Sequence, residues 1–366
     1  MPKGFGKRNN LSKFTQLVSG IAVLLISTVA LILTLEGLVR ILMPEINFVG
    51  ESNYLIIENK YGKTFGYKPN VRGVSWGAEL YTDNYGFRFD PQGAYQHKKD
   101  QSLPSVVILG DSVALGIGVP AKDAFVNLIS QQVRGYNFYN ASVIMYGVSH
   151  YKDVVEQFVI PNQRNLNIKE VFLFYTLNDI NNLVPLKGQE FIRQKSGFPE
   201  YKNIAGFVKK LTKIYDFNPF LVSHSKLYLL LKKIFYDCSK TWFFYDYQEY
   251  RNAQRLRNLG DTMRYIKDAL SHEKIELTIL VLPYEFQLRE NNRQYLLPQE
   301  VISAELNKIG VKNYDLYPAV YRLMKEKGFS SRDLFLFNDH CHPSVKGNAI
   351  IAQVVLKILD SQTNIK

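Results

Sequence analysis

Residues 14–35 carry no charged side chain: Phe14, Thr15, then QLVSGIAVLLISTVALILTL. An apolar run of about 20 residues is long enough to cross a bilayer as a helix. A helix apolar on every face for about six turns belongs in a soluble fold only where protein surrounds it on all sides. Lys3, Lys7, Arg8 and Lys13 precede the run, and Glu36 and Arg40 follow it. The more positive flank stays in the cytoplasm. This predicts a cytoplasmic tail over 1–13, a transmembrane anchor over 14–43, and an extracytoplasmic (periplasmic or extracellular) remainder. The rival is a cleaved signal peptide, whose apolar region usually runs about 7–15 residues and ends in small residues at a cleavage site. This run is longer, and EGLVRILMPE holds no such site.

The 366 residues are 46% hydrophobic and 21% charged, a globular composition. Forty-five Lys and Arg against 33 Asp and Glu give a net charge of +12, which raises the question of nucleic acid. The basic residues are scattered and form no nucleic-acid module, so no nucleic-acid partner is expected. Two cysteines, Cys238 and Cys341, exclude a disulfide-dense scaffold and a four-cysteine zinc site, and permit at most one disulfide. Any imidazole chemistry must come from His97, His150, His224, His272, His340 or His342.

Residues 44–103 are rich in Tyr, Asn, Gly and Pro and read as loops and short strands. Within them, Thr82-Asp83-Asn84-Tyr85-Gly86-Phe87-Arg88 is a turn signal followed by an aromatic and a cation. From Pro104 the pattern changes. Val106–Leu109, Phe138–Ile144, Val171–Tyr175 and Leu277–Leu282 read as strands. Helical spacing follows over Phe125–Val133, with Asp123 as its cap, over Tyr151–Phe158 and over Ala349–Ile358. Strands alternating with helices predict a mostly parallel sheet covered on both faces. The domain expected over 104–362 is interrupted by an insertion at about 183–272. Residues 201–264 hold twelve Lys and Arg, five Asp and Glu, and fourteen aromatics. Ser225–Tyr236 reads as an amphipathic basic helix. The insertion is either a helical cap on the sheet or a surface for lipid headgroups or an anionic polymer.

Gly110-Asp111-Ser112 follows the Val106–Leu109 strand directly. A serine at a strand-to-helix turn lies at the carboxyl edge of a parallel sheet, where α/β sites form, and at a helix start that favours developing negative charge. It can equally be an ordinary N-cap. A serine nucleophile needs a base, and Asn338-Asp339-His340-Cys341-His342-Pro343 offers one. Asp339 and His342, three apart, can meet on one side of a turn, the carboxylate holding the imidazole's tautomer. The same run suggests metal ligands, but adjacent residues diverge and no second ligand cluster appears, so no metal or other cofactor is expected. Asn178, in Tyr175–Asp179 at a strand end, is placed to donate to an oxyanion.

In order along the chain, Gly-Asp-Ser, Asn140-Ala141-Ser142 with Gly147, Asn178-Asp179 and Asp339-x-x-His342 resemble the SGNH, or GDSL, hydrolases. The resemblance implies a flavodoxin-like three-layer α/β/α sandwich and metal-free cleavage or transfer of acyl groups. It implies Ser112 as nucleophile, His342 as base and Asp339 as its partner. Ser112 N–H, the Asn178 amide and a backbone N–H from Met145 or Gly147 would form the oxyanion hole. Thr176 and Met145 stand where the family usually has glycine. The anchored architecture resembles bacterial membrane-tethered members, some linked to acylation or deacylation of surface polysaccharides. The expected function is therefore a membrane-anchored serine esterase or O-acyltransferase acting on acyl, foremost acetyl, esters of envelope glycans or lipids. The alternatives are a catalytically inactive binding or assembly protein of the same fold, and a lysophospholipase seated on lipid by its insertion.

Overall fold

The computed structural model describes residues 6–48, 55–91, 100, 102–181 and 219–362. The first part of the expected insertion, through residue 218, lies outside the described residues. The described residues open on helix α1 (Gly6–Leu42). Its segment Phe14–Leu42 is long and apolar enough to cross a membrane, and its most apolar stretch is wholly exposed.

The lead-in then folds as a hairpin, β1 (Ile56–Tyr61) with β2 (Thr64–Tyr67), and an antiparallel sheet, β3 (Arg72–Ser75), β4 (Ala78–Thr82) and β5 (Arg88–Phe89). The main sheet has five parallel strands: β6 (Ser105–Gly110), β7 (Asn137–Asn140), β8 (Ile168–Tyr175), β9 (Glu276–Val281) and β10 (Lys312–Asp315), in the order β7-β6-β8-β9-β10. Renumbered within the sheet this is 2-1-3-4-5, the flavodoxin-like order, whose switch point falls between β6 and β8. Every residue of β6 is buried, as a strand covered on both faces requires.

Beyond β6 run α2 (Ser112–Leu115), α3 (Phe125–Gln132) and α4 (Val148–Val154), the last continuing through a π turn to Asn162. After the undescribed segment come α5 (Pro219–His224), α6 (Lys226–Phe235), α7 (Cys238–Tyr247) and α8 (Ala253–His272). Helices α9 (Glu285–Glu290), α10 (Leu297–Lys308), α11 (Tyr317–Glu326) and α12 (Val345–Gln362) complete the domain. Helices α3, α11 and α12 pack together as one layer; α4, α8 and α10 form the other.

Two expectations need correction, and one strand goes unread in the sequence. The second strand ends at Asn140, not Ile144. Asp123 does not cap α3, for it lies in a preceding 3₁₀ turn. The N–H of Phe125 instead donates to Asn348 Oδ1 of α12 at 2.8 Å. The fifth strand, β10, is a half-buried edge reading Lys-Asn-Tyr-Asp, and its polar composition hides it from an apolar-run reading.

The charge that ends the apolar run is committed to the fold. The Glu36 carboxylate accepts from the backbone N–H of Lys226 (3.0 Å) and Leu227 (2.9 Å) and from Ser225 Oγ (2.8 Å). It thereby caps α6, a stabilising place for an anion. Arg40 bridges Glu36 Oε1 (2.6 Å) and the His224 carbonyl (2.6 Å). Val39, Ile46 and Leu229 form a small apolar core beneath this joint.

Candidate active site

Gly110 ends β6 where only glycine fits, because a Cβ there would lie 2.4 Å from that of Ala114. The close approach brings α2 down onto the sheet edge. Asp111 caps α2, its Oδ1 accepting from Val113 N–H at 2.9 Å. Ser112 opens the helix beside the switch point. Asn140, at the end of β7, holds the far end of α2 by donating to the Ala114 carbonyl at 3.1 Å.

The candidate base comes from the loop before α12. Asp339 N–H donates to the Leu336 carbonyl, and Leu336 N–H donates to the His342 carbonyl at 2.9 Å. This tight loop returns Asp339 onto His342. Asp339 Oδ1 accepts the backbone N–H groups of Cys341 (2.9 Å) and His342 (2.8 Å). Its Oδ2 lies 2.8 Å from His342 Nδ1. On the other side of the ring, His342 Nε2 lies 2.8 Å from Ser112 Oγ. The structure thus brings Ser112, His342 and Asp339 into one hydrogen-bonded line across 230 residues of sequence.

All three are buried, Ser112 keeping 9% of its surface. Burial alone would raise the Asp339 pKa, but the charge of His342 and its hydrogen bonds hold the carboxyl well below the usual range. Burial alone would lower the His342 pKa, but Asp339, with Asp111 adding to it, holds the imidazole above its ordinary value. His340 is pushed down to about 4, mainly by burial, so it stays neutral where His342 titrates.

Asn178 donates to Asp111 Oδ2 at 3.4 Å, beside Ser112. Thr176 is extended at φ −107°, so this turn does not need glycine. Its hydroxyl donates to Asp111 Oδ1 at 3.1 Å and helps fix the residue that caps α2. Of the two backbone candidates, Gly147 donates its N–H to His150 Nδ1 at 3.1 Å. Met145 takes the left-handed conformation at φ +61° that glycine favours, with its side chain 69% exposed. Asp339, Cys341 and His342 bring their ligand atoms within 4.8 Å of one another, where the spacing predicts divergence. Both His342 nitrogens are engaged, and burial pushes the Cys341 thiol well up, so it remains protonated. Both cysteines are free.

Sequence reasoning misses Trp76. It stands with Gly77 on the two-residue turn between β3 and β4, both at positive φ (+49° and +80°), as a tight hairpin requires. That turn sets the indole against the His342 ring, 4.8 Å between centroids. Sequence reasoning also misses the brace supplied by α7, in which Ser239 Oγ donates to the Asp339 carbonyl (2.8 Å) and Trp242 stacks on His340. A cavity of about 940 Å³ lies behind the loop, lined by Asp339, Phe337, Met43 and Asn47, but neither Ser112 nor His342 lines it.

The Asp83–Arg88 stretch proves structural. Asp83 Oδ1 accepts from Tyr85 and Phe87 N–H, each at 2.9 Å, closing the turn. Arg88 reaches from there to the carbonyls of Leu115 (2.8 Å), Gly116 and Val119 (2.6 Å), at and just past the end of α2. Arg88→Met would leave three buried carbonyls without this cation. The expected cost is about 3 kcal/mol or more in chemical denaturation, with reduced activity because α2 carries Ser112.

No family model matches the sequence, and no curated protein matches it. Among solved structures, the chain is similar to a lipolytic G-D-S-L family protein from Veillonella parvula, at 14% identity and a TM-score of 0.40 over 70% of this chain and 97% of that one. It is similar to an acetylxylan esterase from Geobacillus stearothermophilus, at 14% identity and a TM-score of 0.40 over 69% and 92%. It is also similar to an alpha/beta hydrolase enzyme from the metagenome of Lake Arreo, at 12% identity and a TM-score of 0.40 over 69% and 93%.

Proposed function

We propose that this protein is a membrane-anchored serine esterase or O-acyltransferase of the SGNH type, acting on acyl, foremost acetyl, esters of envelope glycans or lipids. The observation that carries the reading is the continuous Asp339–His342–Ser112 line, with a 2.8 Å contact on each side of the imidazole. In this reading Ser112 Oγ attacks the ester carbonyl while His342 Nε2 takes its proton. Ser112 N–H and the Asn178 amide receive the oxyanion. The third donor is the backbone N–H of Met145 or of Gly147, the latter directed at His150 Nδ1 in this structure. The imidazolium, steadied by Asp339, then protonates the leaving alcohol. Water on the resulting acyl-Ser112 gives hydrolysis; an acceptor hydroxyl gives transfer. In the same reading α1 spans the membrane with residues 1–13 in the cytoplasm and the catalytic domain outside.

Incubation with a fluorophosphonate and mass spectrometry tests the mechanism. One adduct on Ser112 is expected, absent from Ser112→Ala. Two observations favour an inactive binding module instead: the Asn178 amide rests on Asp111, and Ser112 is nearly covered. An unlabelled Ser112 in folded protein would decide for that module.

A further inference from the structure

The anchor is longer than a bilayer core needs. A core of about 30 Å takes about 20 residues, which Phe14–Leu33 supplies. Glu36–Met43 therefore falls at the height of the outer headgroups, and that is the segment to which α6 is fastened. Along α6, Leu227, Leu231 and Ile234 stand at helical spacing on one face. The stripe begins against the anchor, where Leu227 is half-buried, and runs on into the open, with Leu231 46% and Ile234 65% exposed. On α5, tied to Arg40 through the His224 carbonyl, Phe220 is 65% exposed.

Polar groups complete an interfacial pattern. Lys232 and Lys240 are exposed or half-exposed on α6 and α7. Of the two carboxylates on α7 and its cap, Asp237 pairs with Arg289 at 2.8 Å and Asp246 is buried. An exposed apolar stripe flanked by lysines suits a helix lying in the headgroup layer, with its apolar face in the acyl boundary and its cations at the phosphates. We propose that α5 and α6 lie in the outer leaflet interface, inserting Phe220, Leu231 and Ile234, so that the domain rests on the bilayer rather than standing off it. This rests on α1 being a membrane anchor.

The test uses the full chain with Cys238→Ser, reconstituted into vesicles of phosphatidylcholine and phosphatidylglycerol. An environment-sensitive fluorophore is attached at Ile234→Cys, at Leu24→Cys within α1, or at Tyr265→Cys, which is exposed on α8. The expected result is blue-shifted emission quenched by doxyl-labelled lipid at positions 24 and 234, and aqueous emission at 265. A lipid signal at 24 with an aqueous signal at 234 overturns the interfacial helix while leaving the anchor intact. Aqueous signals at both 24 and 234 overturn the anchor itself. A lipid signal at all three positions means non-specific adsorption and overturns the proposed orientation.

Discussion

Ser112→Ala is expected to lower kcat/KM for a short-chain aryl acetate by about 10³-fold or more, with little change in stability. Removing a nucleophile that acts as a unit with its base costs that much or more, and what survives comes from binding and the oxyanion donors. The hydroxyl makes one close contact, to His342 Nε2, and a long 3.5 Å contact to Asp111. The fold loses little with it, so a melting curve close to wild type beside lost turnover would separate chemistry from folding. Activity retained in Ser112→Ala would sink the serine mechanism.

The second large effect concerns pH. The proposed base, His342, would act only when neutral, and Asp339 holds its pKa above the ordinary histidine value against burial. The kcat/KM profile should therefore be low in acid and rise with pH through a midpoint above about 6.5. His340 does not confuse the assignment, because it is held near 4. Asp339→Asn removes the main stabilising charge and leaves burial opposed only by Asp111, so the midpoint should fall from its wild-type position. Turnover should drop by about 10⁴-fold through loss of the correct tautomer. The same Asp339 Oδ1 organises the loop through two N–H groups, and an asparagine oxygen can accept both, so a folded variant is expected. An unmoved midpoint would mean that another group sets the acid limb.

The parts of this fold written in local pattern are readable from sequence. Val106–Leu109, Val171–Tyr175 and Leu277–Leu282 are continuous apolar runs because their strands are covered on both faces. The last helix shows its spacing. Ser112 and the Asp339/His342 pair are visible because a tight turn and a three-residue spacing are local features. The rest depends on contacts across the chain. Trp76 reaches His342 only because a hairpin in the lead-in folds back over the loop. Asn348 caps α3 from 223 residues away, and Thr176 serves Asp111 across the sheet switch. Gly147 looks available in sequence, and only the position of His150 reveals its engagement. The helix Ser225–Tyr236 is legible as amphipathic, while the partner of its buried face, the end of α1, is not.

Cys341 has a consequence for where this protein can work. Its sulfur lies 3.8 Å from His342 Nδ1 and 3.3 Å from His340 Nε2, a neighbourhood where an ionised thiolate would be an oxidation hazard at the heart of the site. Burial, with Asp339 adding to it, keeps the sulfur protonated, and a thiol is far less reactive toward peroxides and disulfides than a thiolate. The half-exposed Cys238 meets oxidants first. In an oxidising compartment, the loop that holds Asp339 and His342 would keep its shape without a disulfide and without offering that sulfur to redox chemistry.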